Sequence, residues 1–303
     1  MVSNGAKHAL VNAFMAICDP GDEVIIPAPF WVSYPEMVSL ADGIPVILDT
    51  KEENGFKFTI EDLKAVITPK TRAIVINSPS NPTGMIYTAK ELEAIAKLAV
   101  EKNIYIVSDE IYEHLIYNGE HVSIASFGDA IKDLTIIVNG VSKTYAMTGW
   151  RIGYTASNSA VAKVMSNVQS HATSNPNSIA QVASVAAIEG PKDFIATMKN
   201  AFLERKNYMV SRINAIDGVS CLDPDGAFYI FMNISELIGK TLYGKQITGS
   251  DSFSDLFLEV AKVAVVPGSG FGADNYVRWS YATNMDNIKR GLERLEKFLK
   301  GDF

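Results

Sequence analysis

The sequence predicts an α/β fold, with a mostly parallel sheet covered by helices on both faces and a smaller α+β unit at the C-terminal end. Through the first two thirds of the chain, short apolar runs rich in Val and Ile alternate with helical patterns. The runs are apolar throughout, which is typical of strands buried on both faces. After residue 185 the pattern changes to one long helical stretch followed by a mixture of strands and helices.

Five apolar runs are predicted as strands of the main sheet, at 22–28, 44–49, 71–78, 103–110 and 134–140. The clearest helix between them is 88–103, where an apolar face opposes a face of Lys and Glu. Thr88 and Glu91 have the spacing of a capping box at its start. Because strand–helix–strand units place consecutive strands parallel, the sheet is predicted to be mostly parallel.

The C-terminal part is predicted to form a second, smaller domain. A long helical pattern covers 191–216, and it is followed by strands at 226–233, 263–268 and 275–282 and by helices at 251–262 and 284–301. We place the boundary inside the long helix. This gives a large domain at 1–207 and a small domain at 208–303.

Composition narrows the classes of function. A chain of 303 residues that is 48% hydrophobic can bury the cores of two domains. Its net charge of −7, with no block of basic residues, argues against a nucleic acid or an anionic membrane as partner. Cys18 and Cys221 form neither a metal pattern nor a disulfide framework, so a cytoplasmic location is expected. The apolar stretch 9–21 ends in Asp-Pro-Gly and reads as a helix rather than a signal peptide.

Polar side chains lie where the predicted strands end. Asn81 follows the third strand in a turn, Asp109 and Tyr112 follow the fourth, and Ser142 and Lys143 follow the fifth. The carboxyl ends of parallel strands share one edge of a sheet, which is where ligands bind in α/β proteins. These five side chains are therefore expected to meet.

Each of these residues also has an ordinary structural explanation when it is taken alone. Asn81 is typical of a turn, Asp109 of a helix cap, and a lysine such as Lys143 can extend its amine to solvent. Arg151 could pair with any surface carboxylate, and Gly5 could simply precede a helix. Their common position at one edge favours the functional interpretation.

The chemistry that needs such a set is that of pyridoxal phosphate. A lysine with a lowered pKa is nucleophilic toward a carbonyl, and the cofactor also needs an acid beside its ring nitrogen. Lys143 and Asp109 can fill these two roles, while Tyr112 and Asn81 can contact the phenolic oxygen. Backbone N–H groups, a hydroxyl and a guanidinium can hold the phosphate, at Gly5, Ala6, Ser142 and Arg151.

Several segments resemble those of a known family. The run GVSKTYAMTGWRIG at 140–153 is similar to the cofactor attachment segment of class I aminotransferases. Four further segments are typical of the same family, at 27–37, 77–84, 107–117 and 276–284. The likeness covers the whole chain and is nearest to bacterial aspartate aminotransferases. It implies fold type I, with a sheet of the seven-stranded type.

The resemblance implies roles for individual residues around the cofactor. Lys143 would form the internal aldimine and then move a proton between the substrate Cα and the cofactor. Asp109 would pair with the ring nitrogen, and Tyr112 and Asn81 would contact the 3-oxygen. Trp31, otherwise read as a core aromatic, would stack on the ring.

The resemblance also implies the substrate contacts and the assembly. Arg278, otherwise read as a surface arginine, would bind the α-carboxylate of the substrate. Lys7 would lie near the distal carboxylate of an acidic donor, or would add positive charge near the phosphate. The implied activity is ping-pong transfer of an amino group from an amino acid such as aspartate to 2-oxoglutarate, in a cytoplasmic homodimer.

Some alternatives stay open at this point. A β-lyase or another fold type I enzyme would use the same cofactor. The chain is about ninety residues shorter than the family leads one to expect, so a truncated relative with little activity is a further reading. A first strand should precede residue 4, and only three residues do. No metal is expected, because none of the four histidines has a partner at metal-ligand spacing, at His8, His114, His121 and His171.

Overall fold

Seven strands form the larger sheet in the computed structural model, which describes residues 1–303. In chain order they are β1 (Val2–Ser3), β2 (Glu23–Ala28), β3 (Ile44–Asp49), β4 (Thr71–Asn77), β5 (Tyr105–Asp109), β6 (Thr135–Gly140) and β7 (Gly153–Ala156). Their order across the sheet is β1-β7-β6-β5-β4-β2-β3. Strands β2 to β6 run parallel, and β7 is antiparallel to both β6 and β1. The prediction of a mostly parallel seven-stranded sheet is confirmed.

Seven helices accompany this sheet. They are α1 (Ala6–Ile17), α2 (Tyr34–Leu40), α3 (Ile60–Val66), α4 (Ala89–Lys102), α5 (Asp129–Leu134), α6 (Ser159–Ala172) and α7 (Ser178–Glu189). One core cluster joins α1, α2 and α6 to Val24 and Ile26 of β2, and another joins α3, α4 and α5 to Ile25. Since successive strand residues point to opposite faces, both faces of the sheet are buried, as the apolar runs predicted.

The apolar pattern and the capping-box spacing predicted the ends of α4 to within one residue. The predicted helix 88–103 is observed at Ala89–Lys102, and the Thr88 hydroxyl and the Glu91 carboxylate form both halves of the capping box. Asn103 ends the helix in the left-handed conformation. Strand β7 was not predicted. Its four residues are too few to produce a periodic pattern.

The rest of the chain builds a smaller antiparallel sheet, a separate pair of short strands and three helices. In chain order its elements are α8 (Asp193–Ile213), β8 (Ser220–Cys221), β9 (Tyr229–Asn233), β10 (Thr241–Leu242), β11 (Lys245–Gln246), α9 (Ser250–Ala261), β12 (Val266–Pro267), β13 (Tyr276–Ser280) and α10 (Met285–Lys300). Four strands pair in the order β12-β13-β9-β8, over a core cluster of 27 buried residues. This confirms the α+β character of the C-terminal part.

Two boundaries in this part differ from expectation or stay untested. The strand predicted at 263–268 is wrong in extent, because β12 pairs with β13 only at Val266 and Pro267. Pro267 has no N–H to continue the ladder. The predicted domain boundary at residue 207 falls inside α8 and stays a prediction.

None of the ten helices is both long and apolar enough to cross a membrane.

A close backbone contact sets the start of α1 against β7. A Cβ added at Gly153 would lie 2.3 Å from the backbone nitrogen of Ala6 and 2.4 Å from the carbonyl carbon of Gly5. Real Cβ atoms do not approach backbone atoms so closely, so position 153 requires glycine. Its absent side chain lets the first turn of α1 lie directly on the strand.

Replacing Gly153 should therefore destabilise the chain. We expect Gly153→Ala to lower the free energy of unfolding by about 1–3 kcal/mol, because the clash is with backbone and no rotamer change relieves it. Urea unfolding followed by circular dichroism measures the change. The matched control is Gly149→Ala in the same segment, where an added Cβ meets nothing within 4 Å. Equal stability of the two variants would contradict the packing argument.

Candidate active site

The carboxyl ends of the central parallel strands open into a cavity of about 270 Å³. Ten of the eleven residues predicted for the site line it: Ala6, Lys7, Trp31, Asn81, Asp109, Tyr112, Ser142, Lys143, Arg151 and Arg278. The eleventh, Gly5, lies just outside the lining, against Arg151. Five further residues complete the wall: Tyr34, Asn77, Ile111, Thr148 and Tyr229. The fold therefore brings the predicted residues together.

Asp109 is a buried carboxylate at the last position of β5, with 4% of its surface exposed. Burial raises the pKa of Asp109 to about 6, and hydrogen bonds from the Tyr34 hydroxyl and the Ile111 N–H oppose that rise. The Tyr34 hydroxyl donates to Oδ2 at 2.7 Å, and the Ile111 N–H donates to Oδ1 at 3.2 Å. A cation placed beside this carboxylate would favour its charged form further.

Tyr34 and Asn77 were missed by sequence reasoning. Tyr34 belongs to α2 and is fully enclosed, while the Asn77 side-chain amide donates to the backbone oxygen of Asp109 at 3.0 Å. Tyr34 lies three residues after Trp31 in a segment typical of the family, but no local pattern indicates where its hydroxyl points. Asn77 is the last residue of β4, so its position at a strand end was an available signal.

Lys143 follows β6 and is half-buried in the cavity. Desolvation lowers the pKa of Lys143, and the positive charges of Arg278 and Arg151 lower it further, while Asp109 has the opposite effect. Its Nζ lies 5.9 Å from the centre of the Tyr112 ring and 5.5 Å from that of Phe228. A lysine in such surroundings has a larger neutral fraction, and the neutral amine is the nucleophilic form.

Tyr112 and Tyr229 form a buried pair between the two sheets. Their hydroxyl oxygens are 2.8 Å apart, and Tyr229 lies on β9 of the smaller sheet. Burial and the neighbouring Tyr229 raise the pKa of Tyr112 well above its usual value, so Tyr112 stays a neutral donor. Tyr229 was not predicted because its contribution arises only when the two sheets meet.

Arg278 connects the smaller sheet to the edge of the larger one. It lies on β13, and its Nη1 donates to the Asn81 side-chain oxygen at 2.7 Å. The guanidinium carbon lies 4.4 Å from the centre of the Tyr229 ring. Its Nε is buried without a partner, so the group keeps unused hydrogen-bonding capacity.

The start of α1 and Arg151 form a cradle for an anion. A Cβ at Gly5 would lie 2.3 Å from Nη2 of Arg151, so the guanidinium rests on bare backbone there. Gly5 has φ +86°, a conformation suited to glycine, and α1 begins at the next residue. The Ser142 hydroxyl lines the same cavity. A helix start, a guanidinium and a hydroxyl are the groups that bind phosphate.

Lys7 and Trp31 lie side by side in the wall. The Lys7 amine is exposed and lies 4.9 Å from the centre of the Trp31 ring, which in turn meets the Tyr34 ring edge-on at 5.4 Å. This arrangement places a positive charge and a flat aromatic surface at one cavity. The cavity thus combines a poised amine, a buried carboxylate and a phosphate cradle.

Known proteins share this fold. A family model described as aminotransferase class I and II matches residues 1–295. The chain belongs to this aminotransferase family. The aspartate aminotransferase of Bacillus subtilis is 51% identical over 301 residues, which cover 99% of this chain and 76% of that protein. The aspartate/prephenate aminotransferase of Nitrosomonas europaea is 46% identical over 304 residues, with 99% and 76% covered.

Structural comparison agrees with the sequence comparison. The crystal structure of the aspartate aminotransferase from Rhizobium meliloti matches with a TM-score of 0.95 at 44% identity, covering 99% of this chain and 76% of that chain. The protein is a fold type I aminotransferase, and its cofactor is pyridoxal phosphate. The donor set fits that cofactor: the Gly5–Arg151 cradle suits its phosphate, and the buried Asp109 suits a protonated ring nitrogen.

The fold gives His121 carboxylate neighbours that its sequence spacing did not indicate, and the expectation that no metal binds stays a prediction. The ligand atoms of Glu110, Glu113 and His121 lie within 4.8 Å of one another, although the sequence spacing indicated no partner for His121. The chain folds back between residues 113 and 121, which spacing alone does not reveal. The Glu110 carboxylate accepts hydrogen bonds from the hydroxyls of Ser108 at 2.9 Å and Ser123 at 2.7 Å. It therefore has a structural role in this aminotransferase.

The hydroxyl of Tyr34 should control the pH at which the cofactor binds. Cofactor affinity is expected to weaken as the pH falls through about 6, because Asp109 then takes up a proton. Tyr34→Phe removes a donor to the carboxylate, so the pKa of Asp109 rises and the midpoint should move up by about one pH unit. Fluorescence titration of the cofactor-free protein with pyridoxal phosphate across pH measures it. Tyr105→Phe, on the same strand as Asp109, is the control, and an unmoved midpoint in Tyr34→Phe would refute this role.

Proposed function

We propose that this aminotransferase moves the amino group of an acidic L-amino acid, aspartate first among them, to 2-oxoglutarate. The observation that carries the proposal is the meeting of Lys143, Asp109 and Arg278 in one cavity. Relatives named aspartate aminotransferase, about 50% identical over almost the whole chain, support the choice of donor. We also propose a ping-pong sequence, in which the first oxo acid leaves before 2-oxoglutarate enters.

The residues of the cavity divide the work of binding the cofactor. Asp109 would face the ring nitrogen, Tyr112 and Asn81 the phenolic oxygen, and Trp31 the face of the ring. The phosphate would be held by the cradle described above, at Gly5, Ala6, Ser142 and Arg151. When bound, pyridoxal phosphate supplies an aldehyde that joins to amines and a protonated ring that withdraws electrons.

Lys143 would act as both the attachment point and the proton carrier. Its lowered pKa leaves part of the amine neutral, so Nζ can take a proton from the substrate Cα and deliver it elsewhere. Asp109, charged above a pH of about 6, would keep a proton on the ring nitrogen. The Tyr112 hydroxyl, held neutral by burial, would donate a hydrogen bond to the neighbouring oxygen.

The preference for an acidic substrate would come from two cations. Arg278 can bind the α-carboxylate through its fork of N–H groups, and Lys7 would meet the distal carboxylate. The two side chains line the same cavity, while Arg278 extends from the smaller sheet and Lys7 from the first turn of α1. A substrate with two carboxylates would therefore span both parts of the chain.

We also propose a homodimer and a division into domains at 1–207 and 208–303. Helix α7 exposes three apolar side chains on one face, with exposed fractions of 72% for Ile179, 70% for Val182 and 51% for Val185. A second copy of the chain would cover this face. The cysteines are unpaired, which is typical of the reducing cytoplasm, and we propose that location.

Replacing Lys143 tests the chemical core of the proposal. With the cofactor bound, the native enzyme should turn over aspartate to oxaloacetate repeatedly only when 2-oxoglutarate is supplied, and without it should form at most one equivalent of oxaloacetate per site. Lys143→Ala should lose the visible absorbance band of the covalently attached cofactor and at least about 100-fold in kcat, since the amine that we propose as the proton carrier is then absent. The control is Lys163→Ala, an exposed lysine on α6. Survival of the band in Lys143→Ala, or ammonia release without an oxo acid, would contradict the proposal.

Replacing Lys7 tests the choice of substrate. Lys7→Ala should raise the KM for aspartate by about tenfold, the effect of losing one partly exposed charge contact. The KM for a neutral amino acid should stay within about twofold, because that substrate has no distal carboxylate. Steady-state kinetics with both donors measure the difference, and Lys64→Ala on α3 is a control for charge alone. Equal changes for both donors would assign Lys7 to the phosphate instead.

A further inference from the structure

The loop that follows β3 reaches from the larger sheet to the smaller one. We call residues 51–57 the β3 loop. Lys51 and Lys57 close its base by an antiparallel bridge, and residues 52–54 form a short 3-10 turn. Gly55 and Phe56 follow with φ +64° and +54°, so the chain reverses within two residues. A positive φ at a bulky aromatic residue is uncommon, and it persists where the surrounding contacts impose it.

One carboxylate oxygen of this loop holds two strands of the smaller sheet. Oε2 of Glu52 accepts a hydrogen bond from the Tyr276 hydroxyl at 2.8 Å and another from the Asn233 side-chain amide at 2.8 Å. Tyr276 on β13 and Asn233 on β9 are direct cross-strand partners. Glu52 therefore contacts both strands at the same position of the ladder.

The aromatic ring of the loop adds a second contact. Phe56 meets the ring of Phe231 edge-on at 5.7 Å and that of Tyr276 at 5.3 Å. Phe231 and Tyr276 are themselves stacked, with centres 4.8 Å apart and planes 9° from parallel. Edge-to-face packing has a preferred geometry, so this cluster restricts how the sheet can shift against the loop.

The loop is also fixed on its own side. Nζ of Lys57 pairs with a carboxylate oxygen of Glu91 at 2.7 Å, and the Lys57 side chain is only 20% exposed. Glu91 belongs to the capping box of α4 and accepts from the backbone N–H of Thr88 at 2.7 Å. A continuous series of contacts thus joins α4, the β3 loop and β13.

The strand held by this loop carries Arg278. Tyr276 and Arg278 are two residues apart on β13, so their side chains share one face, and Phe231 is the cross-strand partner of Arg278. Glu52, Asn233 and Tyr276 do not line the cavity of about 270 Å³, so they would not touch a ligand held there.

We propose that the β3 loop positions Arg278 for the substrate carboxylate by fixing β13 through Glu52 and Phe56. The inference rests on the proposed role of Arg278 in substrate binding. The hydrogen bond from Arg278 to Asn81 also holds β13, but it uses the guanidinium that would bind the substrate carboxylate. The contacts of the β3 loop hold β13 through Tyr276 and leave that guanidinium free to bind. Glu52 is a positioning residue, and its removal should impair substrate binding more than the chemical step.

Replacing Glu52 in the cofactor-loaded enzyme tests the proposal. Glu52→Ala should raise the KM for aspartate about tenfold, while kcat stays within about twofold and the absorbance band of the bound cofactor is unchanged. The Kd of maleate, an unreactive dicarboxylate, should rise by the same factor in absorbance titrations. Glu53→Ala is the matched control, because Glu53 is exposed in the same loop and pairs only with Lys51, at 3.6 Å.

Two more variants keep the test decisive if Glu52→Ala folds poorly. Glu52→Gln retains an oxygen that can accept both hydrogen bonds and should restore the native KM, whereas Tyr276→Phe keeps the ring stack, loses one donor and should raise the KM. An unchanged KM in both Glu52→Ala and Tyr276→Phe, or equal effects of Glu52→Ala and Glu53→Ala, would overturn the proposal. If the native enzyme neither uses aspartate nor binds maleate, the proposed function fails and not this inference alone.

Discussion

The site depends on one buried carboxylate. Removing the charged Asp109 side chain from water costs free energy, and this desolvation raises its pKa to about 6. The Tyr34 hydroxyl and the Ile111 N–H offset part of it, and they also fix where the two oxygens point. A cationic ring beside Asp109 would offset the rest. The carboxylate would therefore be stabilised by the same cofactor that we propose it helps to bind.

Positive charge is concentrated in the same cavity of a chain whose net charge is −7. Arg151 at the phosphate cradle and Arg278 on the smaller sheet both lower the pKa of Lys143. Their charges thus have two effects, because they attract anionic ligands and keep the amine partly neutral at the same time. Lys7 extends the positive charge to the exposed side of the cavity.

The relative position of the two sheets determines the shape of the cavity, because residues from both line it. The Tyr112–Tyr229 pair and the Arg278–Asn81 hydrogen bond join them inside the cavity, at 2.8 Å and 2.7 Å. The β3 loop joins them outside it, through Glu52. Contacts inside a cavity change when ligands bind, whereas contacts outside it can persist. This separation would allow the guanidinium of Arg278 to bind a ligand, as we propose, while β13 stays in place.

The sequence by itself determined the features that depend on neighbours in the chain. The apolar runs, the Thr88–Glu91 capping box and the residues at strand ends such as Asp109 follow from short-range periodicity and from the rule that ligands bind at those ends. Only the tertiary structure decided what touches Asp109 and Tyr112, because their partners Tyr34 and Tyr229 lie 75 and 117 residues away. The position of a tyrosine hydroxyl cannot be inferred from hydrophobic periodicity, and its hydrogen bond forms only when elements distant in the sequence pack together.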